Sequence, residues 1–222
     1  PLSSLPLHCT LVGRSLDYAA VARLEVNDAA LLEEWRESVG WCTDAARYAA
    51  VRCGPPSMAR LSDEDIGAME GAGTVTPLEA DVTPGAFCAV FCVPEWHKDP
   101  PRRRRVVNPR NVNGALGRST LRPLHLPARA ELRLAALRGD WVCCLDAASF
   151  FDQFPVTPEV GRFFCFRSKR GAVLRLSAMA MGQRQSTEVA TALMRLLCAF
   201  PHEGVRIDIV TDNLRFVGDR AR

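Results

Sequence analysis

Two aspartates at strand ends are the residues of this chain best suited to chemistry. Asp146 closes the apolar run Trp141 to Leu145, and Asp212 lies between two further apolar stretches, residues 205–210 and 214–217, that read as the arms of a hairpin. A single carboxylate at a strand end is usually a cap or a surface group. Two that meet at one sheet edge repel each other unless cations neutralise them, and hard oxygen ligands suit Mg²⁺. A pair of such ions about 3.5–4 Å apart would clamp both oxygens of an in-line phosphoryl displacement. The requirement on the fold is that the two strands be neighbours.

The second group of residues is basic. Lys98 and the unbroken run Arg102–Arg105 lie between two expected strands, where a loop could close over a bound anion. Arginine forks match phosphate oxygens bidentately. A solvated charge run is the alternative. Phe150, Phe151 and Phe154 follow Asp146 closely and read either as core or as a ring lying under a nucleotide sugar. Met179–Ser186 is a polar approach to a helix. Its Gly182 either admits a ligand close to the backbone or belongs to a plain lead-in capped by Ser186 or Thr187.

The elements that must position these residues follow from periodicity. Residues 16–53 read as helical, with Leu31, Leu32, Trp35 and Val39 on one face. Ser62 and Asp65 form a capping-box pattern that starts a helix to about Glu70. Phe87–Val93 reads as a strand closed by Pro94, followed by a loop over 97–103 and a short extended piece at Val106 and Val107. A helix is expected over 127–138. Trp141–Leu145 reads as a buried strand, so Cys143 and Cys144 read as buried small hydrophobes. Residues 163–166 and 172–176 read as two strands, and 187–200 as a helix with Val189, Leu193, Leu196 and Leu197 on its apolar side. The Asp212-Asn213 tip tolerates left-handed backbone angles. The pattern predicts an α+β fold, an antiparallel sheet with helices packed on one face.

The 222 residues are 48% hydrophobic and 24% charged, which excludes a disordered chain. The formal net charge of +3 decides little, but basic clusters on a weakly charged chain point to a polyanionic partner. Nine cysteines with no CxxC pair and no zinc-ligand spacing argue for a reducing compartment, cytoplasm or nucleus. No apolar stretch approaches membrane-spanning length, so no membrane partner is expected. Pro1 stands where Met would open a protein, and Arg222 follows the last motif closely, which reads as a piece of a longer polypeptide.

From about residue 60 to 219 the order of motifs resembles the reverse transcriptases of retroelements. Arg104-Arg105-Val106-Val107-Asn108-Pro109-Arg110-Asn111-Val112-Asn113 is similar to the family's fingers motif. Pro123–Pro127 with Glu131-Leu132 resembles the connection into the palm. Leu145–Phe154 resembles the first catalytic palm motif, with an aromatic steric gate five residues after the aspartate, here Phe151. Met179–Thr187 resembles the motif that touches nucleotide and template, and Thr211-Asp212-Asn213-Leu214 the last catalytic motif. Phe- and Arg-rich Gly161–Arg175 and the glutamines of the second motif lean towards tyrosine-recombinase retrotransposons of the DIRS or VIPER type.

The resemblance implies reverse-transcriptase-like fingers over 61–140 and a palm over 141–222, with 1–60 a helical segment of unknown role and a thumb and ribonuclease H expected elsewhere in the same polyprotein. It implies an RNA-directed DNA polymerase that extends a primer on an RNA or DNA template with dNTPs. Asp146 and Asp212 would hold two Mg²⁺, or Mn²⁺ in their place, with Asn213 beside them in the catalytic motif. Lys98, Arg104 and Arg105 would grip phosphates. Phe151 would select deoxynucleotides, Gly182 and Gln183 would line the nascent base pair, and Arg110 and Asn113 would support the template. The chain departs from the family at Asn213, where a second aspartate is usual, and at Ala180, where proline is common. Asn213 keeps an oxygen but removes a charge, so weaker metal binding or altered metal preference is expected. The competing reading is an inactive nucleic-acid-binding remnant. An RNA-templated RNA polymerase would carry a small residue or Asp in place of Phe151, and a plain nuclease would not need the fingers motif.

Overall fold

The computed structural model describes residues 4–9, 15–26, 28–117, 128–139, 141–199, 203–211 and 213–218. Local chemistry sets several of its elements. Ser62 accepts from the Asp65 backbone N–H at 3.0 Å while the Asp65 carboxylate accepts from the Ser62 N–H at 3.2 Å, the reciprocal box that starts helix α3 (Asp63–Gly71). Before it come β1 (Leu7–His8), α1 (Tyr18–Ala22), α2 (Ala29–Thr43) and a 3₁₀ turn over Ala45–Tyr48. After it come β2 (Val75–Pro77), β3 (Ala89–Glu95), β4 (Arg102–Asn108), α4 (Arg110–Ala115), α5 (Arg129–Arg138), β5 (Trp141–Asp146), a 3₁₀ turn over Phe150–Gln153, and α6 (Pro158–Gly161). The chain continues through β6 (Cys165–Arg167), β7 (Val173–Leu176), α7 (Ser186–Leu197), β8 (Val205–Val210) and β9 (Asn213–Gly218).

Two compact units share the chain. The first comprises Pro1–Leu16, Gly40–Ser119 and Phe151–Ser186; the second comprises Asp17–Val39, Thr120–Phe150 and Thr187–Arg222. The first unit holds two three-stranded sheets, ordered β1-β4-β3 and β2-β7-β6. They are linked through residues 86–88, where the Cys88 N–H donates to the Cys165 carbonyl at 2.7 Å and the Cys165 N–H to the Ala86 carbonyl at 3.0 Å. Phe154, Phe164, Phe166, Leu174 and Leu176 are all buried in this unit. Each such side chain contributes roughly 1.5–3 kcal/mol by leaving water. The second unit holds the sheet β5-β9-β8, antiparallel throughout.

The α+β class stands, with a correction to its layout. Among the described residues three small sheets replace the single antiparallel sheet, and β1 pairs with β4 in parallel. The basic run is not a loop. Arg102–Arg105 are strand residues of β4, in register with Glu95 to Cys92 of β3. Pro94 does not close β3 but lies inside it opposite Arg103, tolerated because β3 is an outer strand and a proline there can turn its missing N–H away from the ladder. β5 forms as expected, yet every one of its residues is exposed, Cys143 and Cys144 included. Its apolar composition marks a strand without marking cover: β6, also an outer strand, is buried, and β5 is not. On α7, Val189, Leu193 and Leu196 are buried as expected, while Leu197 is exposed. The segment Pro123–Pro127 and Asp212 lie outside the described residues. No helix among the described residues is long and apolar enough to cross a membrane.

Candidate functional site

The candidate residues fall into two groups, one in each unit. In the second unit, β5 and β9 are antiparallel neighbours, and Asp146 at the end of β5 pairs in register with Asn213 at the start of β9. Asn213 also pairs with Val210 across the hairpin, whose turn has Thr211 in the left-handed region at φ 58°. Asp146 is exposed, and among the described residues it makes no ion pair. Asp208, on β8 at the far side of β9, is the opposite case. It is buried between Arg206 (Nε–Oδ1 2.8 Å) and Arg215 (Nε–Oδ2 3.1 Å). Burial pulls its carboxyl upward, but the hydrogen bonds from Arg215 and Arg206 outweigh that and hold it below the usual carboxylate range. Asp208 is thus neutralised internally; Asp146, among the described residues, has no such partner.

That donor set suits a hard divalent ion. Asp146 offers carboxylate oxygens and Asn213 an amide oxygen across one strand pair, the ligand chemistry of Mg²⁺ or Mn²⁺. Among the described residues no three His, Cys, Asp or Glu side chains gather to hold a metal ion.

In the first unit the arginine run is largely answered by carboxylates. Glu95, buried, takes both Arg102 (Nε 2.7 Å) and Arg104 (Nε 2.9 Å). Arg103 forks onto Asp65 at 3.0 and 2.8 Å, and Arg105 pairs with Asp152. Burial raises the Asp65 and Glu95 carboxyls, yet their arginine hydrogen bonds prevail and both titrate below the ordinary range. Arg102 also meets His8 Nδ1 at 3.0 Å. Arginine has no acceptor, so Nδ1 accepts and the His8 proton sits on Nε2. Burial and the Arg102 charge lower the His8 pKa. Four arginines therefore share three carboxylates. The positive charge left over sits at Arg104, whose side chain is 46% exposed, and at Lys98 on the exposed turn after β3.

The remaining residues of this unit are held in place by the protein itself. Phe151 is buried, one residue before the Asp152 that Arg105 grips. Gly182 lies against β4, where a Cβ would come within 2.2 Å of the Val107 carbonyl oxygen and 3.0 Å of Pro109 Cδ, so only glycine fits. The Asn113 amide donates to the Gly182 carbonyl and accepts from the Arg184 N–H, both at 2.9 Å. Gln183 is buried and donates through Nε2 to the Tyr48 hydroxyl at 2.8 Å. Arg110, at the first turn of α4, is exposed. Sequence reasoning gave Asp65 a capping role alone and missed its pairing with Arg103, and it missed Glu95, Asp152 and Tyr48. An acid inside the aromatic stretch Phe150–Phe154 was the available signal for Asp152, since such a group requires a cation. Nothing in the pattern distinguished Tyr48.

No protein-family model and no curated protein matches this sequence. Solved structures do resemble it. The native protease–reverse transcriptase of prototype foamy virus is similar with a TM-score of 0.57 at 22% identity, over 77% of this chain and 22% of that one. A CSH mutant of the same viral protein, selenomethionine-labelled, is similar with a TM-score of 0.58 at 21% identity, over 76% of this chain and 22% of that one. The chain has a reverse-transcriptase-like fold and spans about a fifth of the length of the proteins it resembles.

Proposed function

We propose that this chain is the fingers-and-palm part of an RNA-directed DNA polymerase that transfers nucleotides onto a primer 3′-hydroxyl. One observation carries the reading: the pairing of β5 with β9 sets Asp146 opposite Asn213, the residue that follows Asp212 in sequence. A polymerase of this kind needs its two acidic motifs on adjacent strands, and the reverse-transcriptase-like fold supports the same reading. Asp146 and Asp212 would hold Mg²⁺ or Mn²⁺, with Asn213 as an oxygen donor beside them. When bound, the ions would acidify the primer hydroxyl and neutralise the leaving pyrophosphate.

The chain's own residues then divide the remaining work. Arg104 and Lys98 carry the charge available to a triphosphate, and Arg105 acts mainly through its pair with Asp152. Phe151 is assigned to exclude a 2′-hydroxyl. The loop from Met179 to Ser186 faces the nascent base pair through its backbone at Gly182 and Gln183, and Arg110 and Asn113 lie on the template side. The partners are a primed RNA or DNA template and dNTPs, with a thumb and ribonuclease H from the same polyprotein. The DIRS or VIPER type of retrotransposon is our reading of the subfamily, and an intracellular reducing compartment that of the location.

The test is primer extension by the protein, with Asp146→Asn as the control. Templated dNTP incorporation that needs Mg²⁺ and falls by about a hundredfold or more in Asp146→Asn is the expected outcome. A protein that binds primer–template with steep salt dependence yet incorporates nothing would be the nucleic-acid-binding remnant instead.

A further inference from the structure

The segment before residue 60 carries no part of the resemblance, yet it supplies the deepest anchor of the loop that the polymerase reading places against the nucleotide. That loop is a self-bonded turn. The Gln183 N–H donates to the Ala180 carbonyl at 2.9 Å, the Ser186 hydroxyl to the same carbonyl at 2.6 Å, and the Ser186 N–H to the Gln183 carbonyl at 3.1 Å. Two side chains from elsewhere in the first unit fix it. Asn113 bridges Gly182 and Arg184 from α4. From the other side, the Tyr48 hydroxyl accepts from Gln183 Nε2 at 2.8 Å and donates to the Trp41 carbonyl at 2.6 Å.

Tyr48 is itself immobilised. It is wholly buried, stacked on Phe163 with centroids 5.0 Å apart at 17°, and met edge-on by Trp41 and Phe164 at 5.8 Å. Burial raises its pKa far out of the physiological range, so the hydroxyl stays neutral and keeps both its donor and its acceptor role. A neutral phenol with both capacities used, in a rigid aromatic stack, is a fixed point. A buried amide such as Gln183 has few other ways to be satisfied.

We infer that Tyr48 is a positioning residue for nucleotide binding: its hydroxyl pins Gln183 and, together with the Asn113 bridge, presets the turn over residues 180–186 before substrate arrives. The role rests on the polymerase reading. It gives the N-terminal segment a part in the site through Tyr48 without any contact with substrate.

Tyr48→Phe removes only the hydroxyl and leaves the stack. Losing that partner for a buried amide is expected to speed hydrogen exchange at Arg184 and Ser186 by about tenfold. The amides of Cys88 and Val156, bonded to Cys165 and Ser177, should not change. In primer extension, KM for dNTP should rise by about tenfold while kcat stays within about twofold. Three results overturn the inference: unchanged exchange in the loop, exchange that rises equally at Cys88 and Val156, or faster loop exchange with KM unmoved. Gln183→Met removes the same hydrogen bond from the loop side; it should give the same faster exchange at Arg184 and Ser186, and unchanged exchange there overturns the inference if Tyr48→Phe does not fold. Should the wild-type protein extend no primer, the polymerase reading fails, and the exchange data alone then decide whether Tyr48 sets the loop.

Discussion

Leu176 and Leu145 lie near the ends of two apolar strands of similar composition, and they have opposite fates. Leu176 ends β7, the central strand of its sheet, with β2 on one side and β6 on the other, and is 1% exposed. Gly161 sits so close that a Cβ there would come within 2.5 Å of the Leu176 carbonyl oxygen. Leu145 lies on β5, the outer strand of its sheet, and is 53% exposed. The cysteines repeat the contrast, with Cys165 on β6 buried and its thiol pushed up to about 12, chiefly by desolvation, while Cys143 and Cys144 on β5 are exposed. An apolar run specifies a strand; what packs on its face specifies whether it is covered, since β6 is as much an outer strand as β5 and is nonetheless buried. The same contrast bears on function, because a metal-binding carboxylate must stay open to solvent, and Asp146 ends the exposed strand.

The comparison breaks most visibly at the two leucines. Leu176→Ala should lower stability by about 2–5 kcal/mol, the range for a leucine removed from a packed interior. Leu145→Ala should stay within about 0.5 kcal/mol, as surface substitutions do. Urea titration of both variants measures the difference, and similar losses would mean that β5 is covered in solution.

A smaller effect separates the carboxylates. Asp65 in the first unit and Asp208 in the second are both buried against arginines and both held below the usual range. A depressed folded-state pKa contributes stability that is complete above the unfolded value, about 3.9, and is lost as pH falls through the folded value. Stability should therefore be level near neutrality and fall below about pH 4. Asp65→Asn should cost about 1.5–3 kcal/mol at pH 7, the range for hydrogen bonds to a charged partner, and should flatten that acid decline. An acid limb unchanged in Asp65→Asn would remove Arg103–Asp65 from the account.

Much of this fold was legible because its signals are local. The Ser62–Asp65 box, the apolar face of α7 and the hairpin of β8 and β9 each follow from a few neighbouring residues. The partnership of β5 with β9 was the requirement placed on the two acidic motifs, and it is present at Asp146 and Asn213. What stayed hidden was non-local. Four arginines in a row look like free charge until β4 pairs with β3 and brings Glu95 onto Arg102 and Arg104. Gly182 was read either as room for a ligand or as a plain lead-in; that glycine is required there by its packing on the Val107 carbonyl could not be seen. Tyr48 could not be found at all, since its task depends on Gln183, 135 residues away.

The gentlest probe of the two regions is Asn213→Asp, which adds a carboxylate opposite Asp146 on the open strand pair. Unit charges about 4 Å apart interact by only about 1 kcal/mol in water, so the change should be modest. Without divalent ions the variant should be slightly less stable, from repulsion across the pair. With them the sign reverses, because the added oxygen and charge favour the cation. Mn²⁺ binding followed by electron paramagnetic resonance should tighten by about threefold to fivefold, a factor that corresponds to roughly 1 kcal/mol. This measurement needs no catalysis, so it tests the metal assignment apart from the polymerase reading. Asp208→Asn supplies the opposing case. Its carboxylate is already paired with Arg206 and Arg215, so removing it should leave Mn²⁺ binding unchanged. If Asn213→Asp leaves binding unmoved, or Asp208→Asn weakens it, the cation does not sit at the β5–β9 edge, and exposure of Asp146 reflects an uncovered strand end and nothing more.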